Sequence, residues 1–87
     1  MHHVYLLRCG DGSLYAGYTI NLEARLATHR AGKGAKYTRG RGPLAIAYHA
    51  EYSSKSLALK AEAAIKRLSK AAKEELVKNF AAVARRD

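Results

Sequence analysis

Tyr5 and Tyr15 stand on either side of a Gly10-Asp11-Gly12 turn, and Arg25 and His29 follow four residues apart. Hydroxyls, a guanidinium and an imidazole drawn from so short a stretch suit chemistry on a phosphodiester. A phenol titrates near about pH 10, so a tyrosine acting as a base needs cations around it to favour phenolate. Taken alone, either tyrosine is more often a packing residue of a strand. An arginine offers a planar fork to non-bridging phosphate oxygens and to charge developing in a transition state; otherwise it is a solvated helix residue paired with Glu23 or Glu62. A histidine one turn on accepts or relays a tyrosine proton, or contacts phosphate. It serves as readily as a hydrogen-bonded structural group.

Glu62 is the only acid between Glu51 and Glu74, and its i−4 and i+3 neighbours are Ala58 and Ile65. A lone carboxylate beside an apolar stripe is costly unless it is paired or bound to a cation. With waters and a substrate phosphate it suits Mg²⁺; with Lys66 it makes an ordinary i,i+4 ion pair. Zinc spacing, a Walker loop, a Ser-His-Asp pattern and a dinucleotide glycine fingerprint are all missing, so no organic cofactor is expected.

The elements that must position these groups follow from pattern. Residues 3–9 and 13–19 are rich in Val, Leu and Tyr and read as a hairpin. A two-residue Asp11-Gly12 turn would set Tyr5 opposite Tyr18 and send Tyr5 and Tyr15 to opposite faces. A three-residue loop with Gly12 left-handed pairs Cys9 with Ser13 and Tyr5 with Gly17, and puts both tyrosines on one face. The second register is preferred, because Gly17 opposite Tyr5 then leaves space for the ring or a ligand. Asn21 caps a helix to about Ala31, with Gly32 as its stop. Leu22, Arg25, Leu26 and His29 share one stripe of that helix, so Arg25 and His29 lie on or beside the face that packs on the sheet. Residues 32–42 read as a basic, glycine-rich loop. A strand follows from Leu44 to Ala50, with Leu44, Ile46 and Tyr48 on one side. Ser53 or Ser54 caps a second helix through Leu68, whose apolar stripe is Leu57, Ala58, Ala61, Ala64, Ile65 and Leu68, and Ser69 caps a third to about Ala84. The fold class is α+β, a small mainly antiparallel three-stranded sheet flanked by helices in the order β-β-α-β-α-α.

Eighty-seven residues make one domain, and the single cysteine excludes an internal disulfide, which fits a reducing cytoplasm. No apolar run is long enough for a membrane span or a signal peptide, so no membrane partner is expected. The net charge is +9. Residues 32–42 carry Lys33, Lys36, Arg39 and Arg41 without an acid, and residues 55–87 hold nine more bases. Such an excess points to a polyanion, because displaced counterions supply affinity.

Together these residues resemble the GIY-YIG nuclease domain in its small stand-alone bacterial form. Its first signature reads here as His3-Val4-Tyr5 and its second as Tyr15-Ala16-Gly17, followed by Thr19, Arg25, His29, the basic loop and the Ala61-Glu62-Ala63-Ala64-Ile65-Lys66 helix. His3 stands in place of the leading glycine, and Ala16 in place of the usual Ile or Val. The resemblance implies a one-metal phosphodiesterase. Tyr5 would activate water with Tyr15 assisting, Arg25 would stabilise the pentavalent phosphate, His29 would bond a tyrosine or the phosphate, and Glu62 would hold Mg²⁺ or Mn²⁺. The expected activity is a DNA endonuclease of low sequence specificity, acting on branched, nicked, damaged or single-stranded DNA, with the 32–42 cations on the backbone. The competing reading is a nucleic-acid binding module with a vestigial site.

Overall fold

The three-residue hairpin loop is the one that forms. Gly12 has φ +85°, the Cys9 amide donates to the Ser13 carbonyl at 2.9 Å, and the Gly12 amide donates to the Cys9 carbonyl at 2.9 Å. The Asp11 carboxylate accepts the Ser13 amide at 3.0 Å, closing the turn as Asp commonly does. Strands β1 (His2–Arg8) and β2 (Leu14–Thr19) are therefore antiparallel with Tyr5 opposite Gly17. This computed structural model describes residues 1–84; Arg85 and Arg86, counted above among the C-terminal bases, lie outside the described residues.

Strand β3 (Ala45–Tyr52) pairs antiparallel with the other edge of β1, giving the order β2-β1-β3. Helices α1 (Leu22–Arg30), α2 (Lys55–Lys66) and α3 (Lys70–Ala84) complete the expected order β-β-α-β-α-α. The start signals act as read: Asn21 accepts the Ala24 amide, Ser54 the Leu57 amide and Ser69 the Ala72 amide. One sheet face buries Tyr5, Leu7 and Cys9 with Leu44, under Leu22 and Leu26 of α1. The other buries Val4, Leu6, Leu14 and Ala16 against Ala58 and Ile65 of α2, with Leu76 and Val77 of α3 packed on it.

Three expectations need correction. Leu44 precedes the strand, which runs on to Tyr52, and Ile46 and Tyr48 do not share a side. Leu7 faces Ile46 whereas Leu6 faces Tyr48, so Ala47 is an extra residue in a bulge, which reverses the alternation. Residues 32–42 are not wholly irregular, since Lys36–Thr38 form a 3-10 turn closed by the Thr38 amide on the Ala35 carbonyl at 3.0 Å. Finally, α2 ends at Lys66 and buries a narrower edge than its stripe implied. Leu57 is 49% and Leu68 37% exposed, while Ala58 and Ile65 are buried and Ala61 packs beside them.

The start of α3 is fastened to the hairpin. Arg8 forks onto the Glu74 carboxylate at 2.5 and 2.6 Å. Arg8 and Lys70 both donate to the Gly12 carbonyl, at 3.1 and 2.7 Å.

Candidate active site

Pairing with Gly17 decides where the Tyr5 side chain goes. A methyl group on Gly17 would collide with the Cζ and hydroxyl of Tyr5, so the phenol lies across β2 where any other residue would block it. Tyr5 is 1% exposed. Leu22 and Leu26 dock α1 on the same face, and that rotation brings Arg25 and His29 inward, as the stripe requires. His29 is 1% exposed. Its Nε2 lies 2.8 Å from the Tyr5 hydroxyl and its Nδ1 3.0 Å from Thr38 Oγ1. Tyr15, half-buried, meets the imidazole edge-on at 5.7 Å between centroids, and Tyr5 does so at 5.9 Å. The imidazole thus contacts both tyrosines, and Arg25 sits one helical turn before it.

Electrostatics polarise this group in a definite sense. Burial raises the Tyr5 pKa above its ordinary 10.0; the neighbouring Arg25 guanidinium opposes the rise, and the charges of Tyr15 and Glu62 add to it. Burial, and then Arg25, lower the His29 pKa below its ordinary 6.5. At neutral pH the phenol is therefore protonated and the imidazole is neutral, so the pair holds one movable proton and a base beside it.

Glu62 projects from α2 with its side chain 19% exposed, 3.6 Å from Lys66 Nζ. The carboxylate is loosely paired, as the ion-pair reading expects, and it is near enough to Tyr5 to disfavour phenolate. Among the described residues no three His, Cys, Asp or Glu side chains gather as a metal cluster. A cation here would rest on Glu62 together with water and substrate oxygens, a donor set that fits Mg²⁺ or Mn²⁺.

The basic loop divides. Lys33, Lys36 and Arg39 are exposed and make no ion pair among the described residues. Arg41 is different: it pairs with Asp11, and its guanidinium carbon lies 4.3 Å above the Tyr37 ring. Tyr37 in turn stacks on Tyr15 at 5.8 Å and 22°. Asp11, Arg41, Tyr37 and Tyr15 form a continuous stack against the site, tying the hairpin turn to the loop. Reading the sequence missed Tyr37 and Thr38. Their one signal was to be the only uncharged residues larger than alanine in a run of glycines and cations.

The family model of the GIY-YIG catalytic domain matches residues 1–75. The UPF0213 protein of Halobacterium salinarum is 51% identical over 76 residues, covering 87% of this chain and 99% of its own length. That of Natronomonas pharaonis is 54% identical over 76 residues, covering 87% and 89%. Two solution NMR structures are similar. A UPF0213 protein from Bacillus halodurans has TM-score 0.58 and 48% identity, covering 88% of this chain and 82% of that one. A protein from E. faecalis has TM-score 0.62 and 44% identity, covering 91% and 84%. With the tyrosines, arginine, histidine and glutamate of the signature in the places just described, the chain belongs to the GIY-YIG catalytic domain family.

Proposed function

We propose that this member of a nuclease-type family is a divalent-metal-dependent DNA endonuclease that hydrolyses phosphodiesters with little sequence preference. The observation that carries the reading is the buried Tyr5–His29 hydrogen bond of 2.8 Å, with Arg25 beside it. A phenol with a raised pKa is no standing base. It gains basic character only as its proton leaves, and neutral His29 is placed to take that proton. Water attacks phosphorus while one of its protons passes to the Tyr5 oxygen and the Tyr5 proton passes to His29 Nε2. The phosphorus bond to the leaving oxygen breaks, and that oxygen takes a proton from solvent. Arg25 neutralises charge on the phosphate oxygens, and Tyr15, stacked on Tyr37, shapes the cleft beside the imidazole. Glu62 would hold a divalent cation, which when bound would supply Lewis-acid neutralisation of the phosphate.

Lys33, Lys36 and Arg39 serve as backbone contacts. Flexible cations on a glycine-rich arch position a duplex without reading its bases, which supports weak sequence selectivity and nicked, branched or single-stranded DNA as substrates. Arg41, engaged by Asp11 and Tyr37, instead holds the stack that supports Tyr15.

Plasmid nicking with Mg²⁺ and Mn²⁺, with and without chelator, tests this. The expected result is metal-dependent nicking that is lost in Glu62→Ala while DNA binding is kept. The Glu62–Lys66 pairing favours one rival, a DNA-binding module whose carboxylate is structural. DNA binding by the wild type without nicking under any metal would establish that rival; undiminished nicking by Glu62→Ala would remove the metal role.

A further inference from the structure

Thr38 is the second partner of His29, and it is buried at 1% exposure. Its amide and its hydroxyl both point at the Ala35 carbonyl, at 3.0 and 2.9 Å. The direction of the hydrogen bonds around His29 then follows by elimination. The Tyr5 hydroxyl is buried, and Arg25 has only donors to offer it. The acceptor that the structure gives it is His29 Nε2. Nε2 therefore carries no hydrogen, and in a neutral ring Nδ1 does. Nδ1–H donates to Thr38 Oγ1, whose own hydrogen goes to Ala35. Run the other way, with Thr38 donating to Nδ1 and Nε2–H to Tyr5, the chain would leave the buried phenol hydrogen without an acceptor. Gly34 belongs to the same arrangement: a methyl group there would collide with Nδ1 and Cγ of His29, so the 34–38 segment is seated against this edge of the ring.

We propose that Thr38 is a positioning residue that fixes His29 as the Nδ1–H tautomer and so keeps Nε2 open to the Tyr5 proton. This rests on the reading above, in which that proton moves to His29. The 3-10 turn at Lys36–Thr38 then has a purpose within the basic loop, because it delivers one hydroxyl to the far side of the imidazole.

The test uses the full chain with ¹⁵N-labelled histidine. Long-range ¹H–¹⁵N spectra of the ring, recorded well above the ordinary histidine pKa, distinguish the two tautomers directly. Wild type and Thr38→Ser should show the protonated signature at Nδ1. Thr38→Val keeps the volume but removes the acceptor, so its His29 should shift toward the Nε2–H form. Nicking by Thr38→Val should fall roughly a hundredfold, the lower end of what a positioned acid–base group contributes, with Thr38→Ser restoring most of it and DNA binding unchanged in both. A wild-type spectrum with Nε2 protonated overturns the proposal, even if Thr38→Val does not fold. So does a Thr38→Val spectrum that keeps the Nδ1–H form. If the tautomers behave as expected but wild type cuts no DNA, the catalytic reading fails and the positioning role stands.

Discussion

The proposed transfer of a proton from Tyr5 to His29 would tie rate to pH in a direction the burial of both groups dictates. Hydrolysis as proposed needs neutral His29, whose pKa lies below 6.5 through burial and the adjacent Arg25. We expect kcat/KM to be level at neutral pH and to fall only on the acid side of 6.5. Tyr5, raised above 10.0, contributes no alkaline fall below that value. A pH–rate profile whose acid limb is centred above 6.5 would contradict the assignment. Stability follows the same group. The unfolded chain takes up the His29 proton first, so the stability of the neutral buried form is complete above 6.5 and declines as pH falls through the lowered folded value. Tyr5→Phe separates chemistry from packing, because the ring stays over Gly17 while its hydroxyl goes. It should lose about 10²-fold or more in kcat and about 1–3 kcal/mol at most in stability, from the unpaired Nε2. Plasmid nicking and urea unfolding of one preparation supply both readings, and nicking at the wild-type rate would remove Tyr5 from the reaction.

At the level of elements, the β1–β2 pairing matters most, since one register step would part the two tyrosines. Gly17→Ala forces a methyl group into the Tyr5 ring. We expect it to cost about 1–3 kcal/mol of stability and to suppress nicking beyond what unfolding explains; an unaltered denaturation midpoint would count against the packing described. The Arg8–Glu74 fork that fastens α3 makes a gentler prediction. Arg8 holds the Glu74 carboxyl at about 2, against an ordinary 4.5, so its contribution is present above 4.5 and lost as pH falls toward 2. Both side chains are about a third exposed, and solvent screening keeps the pair near 1 kcal/mol or less. Glu74→Gln should flatten the acid dependence of unfolding in that window, and an unchanged acid titration would show the fork idle. This hairpin register was legible because turn chemistry is local: Gly12 needs a left-handed φ, and Gly17 needs a reason to be glycine. The α1 stripe was legible because helical period alone turns Arg25 and His29 inward. The bulge at Ala47 was not, because it answers to the pairing of β3 with β1, and no residue within β3 announces it. Thr38 was hidden for a related reason. Its partner lies nine positions away, across a loop without period.

For the molecule as a whole, the proposed engagement of nucleic acid rests on charge. Part of the net charge of +9 is displayed on an arch where Lys33, Lys36 and Arg39 are exposed, with Arg41 paired to Asp11. If those three each neutralise one phosphate, they contribute about −2.7 to the log–log salt slope on duplex, at about −0.9 per phosphate. Changing the three to Ala should flatten the slope by that amount and weaken two unrelated duplexes equally, whereas Arg41→Ala should leave the slope nearly unchanged while disturbing Tyr15. A salt titration of binding decides; an unaltered slope in the triple variant would move the contacts to α2 and α3. The arch is anchored at its far end as well, where the Gly10 amide of the hairpin turn donates to the Arg41 carbonyl. That single amide is a built-in gauge of whether the arch is seated. Its deuterium uptake should slow when DNA clamps the loop down and quicken when DNA lifts it, so one exchange rate, followed through a titration, separates a clamp that closes on its substrate from one that opens to admit it.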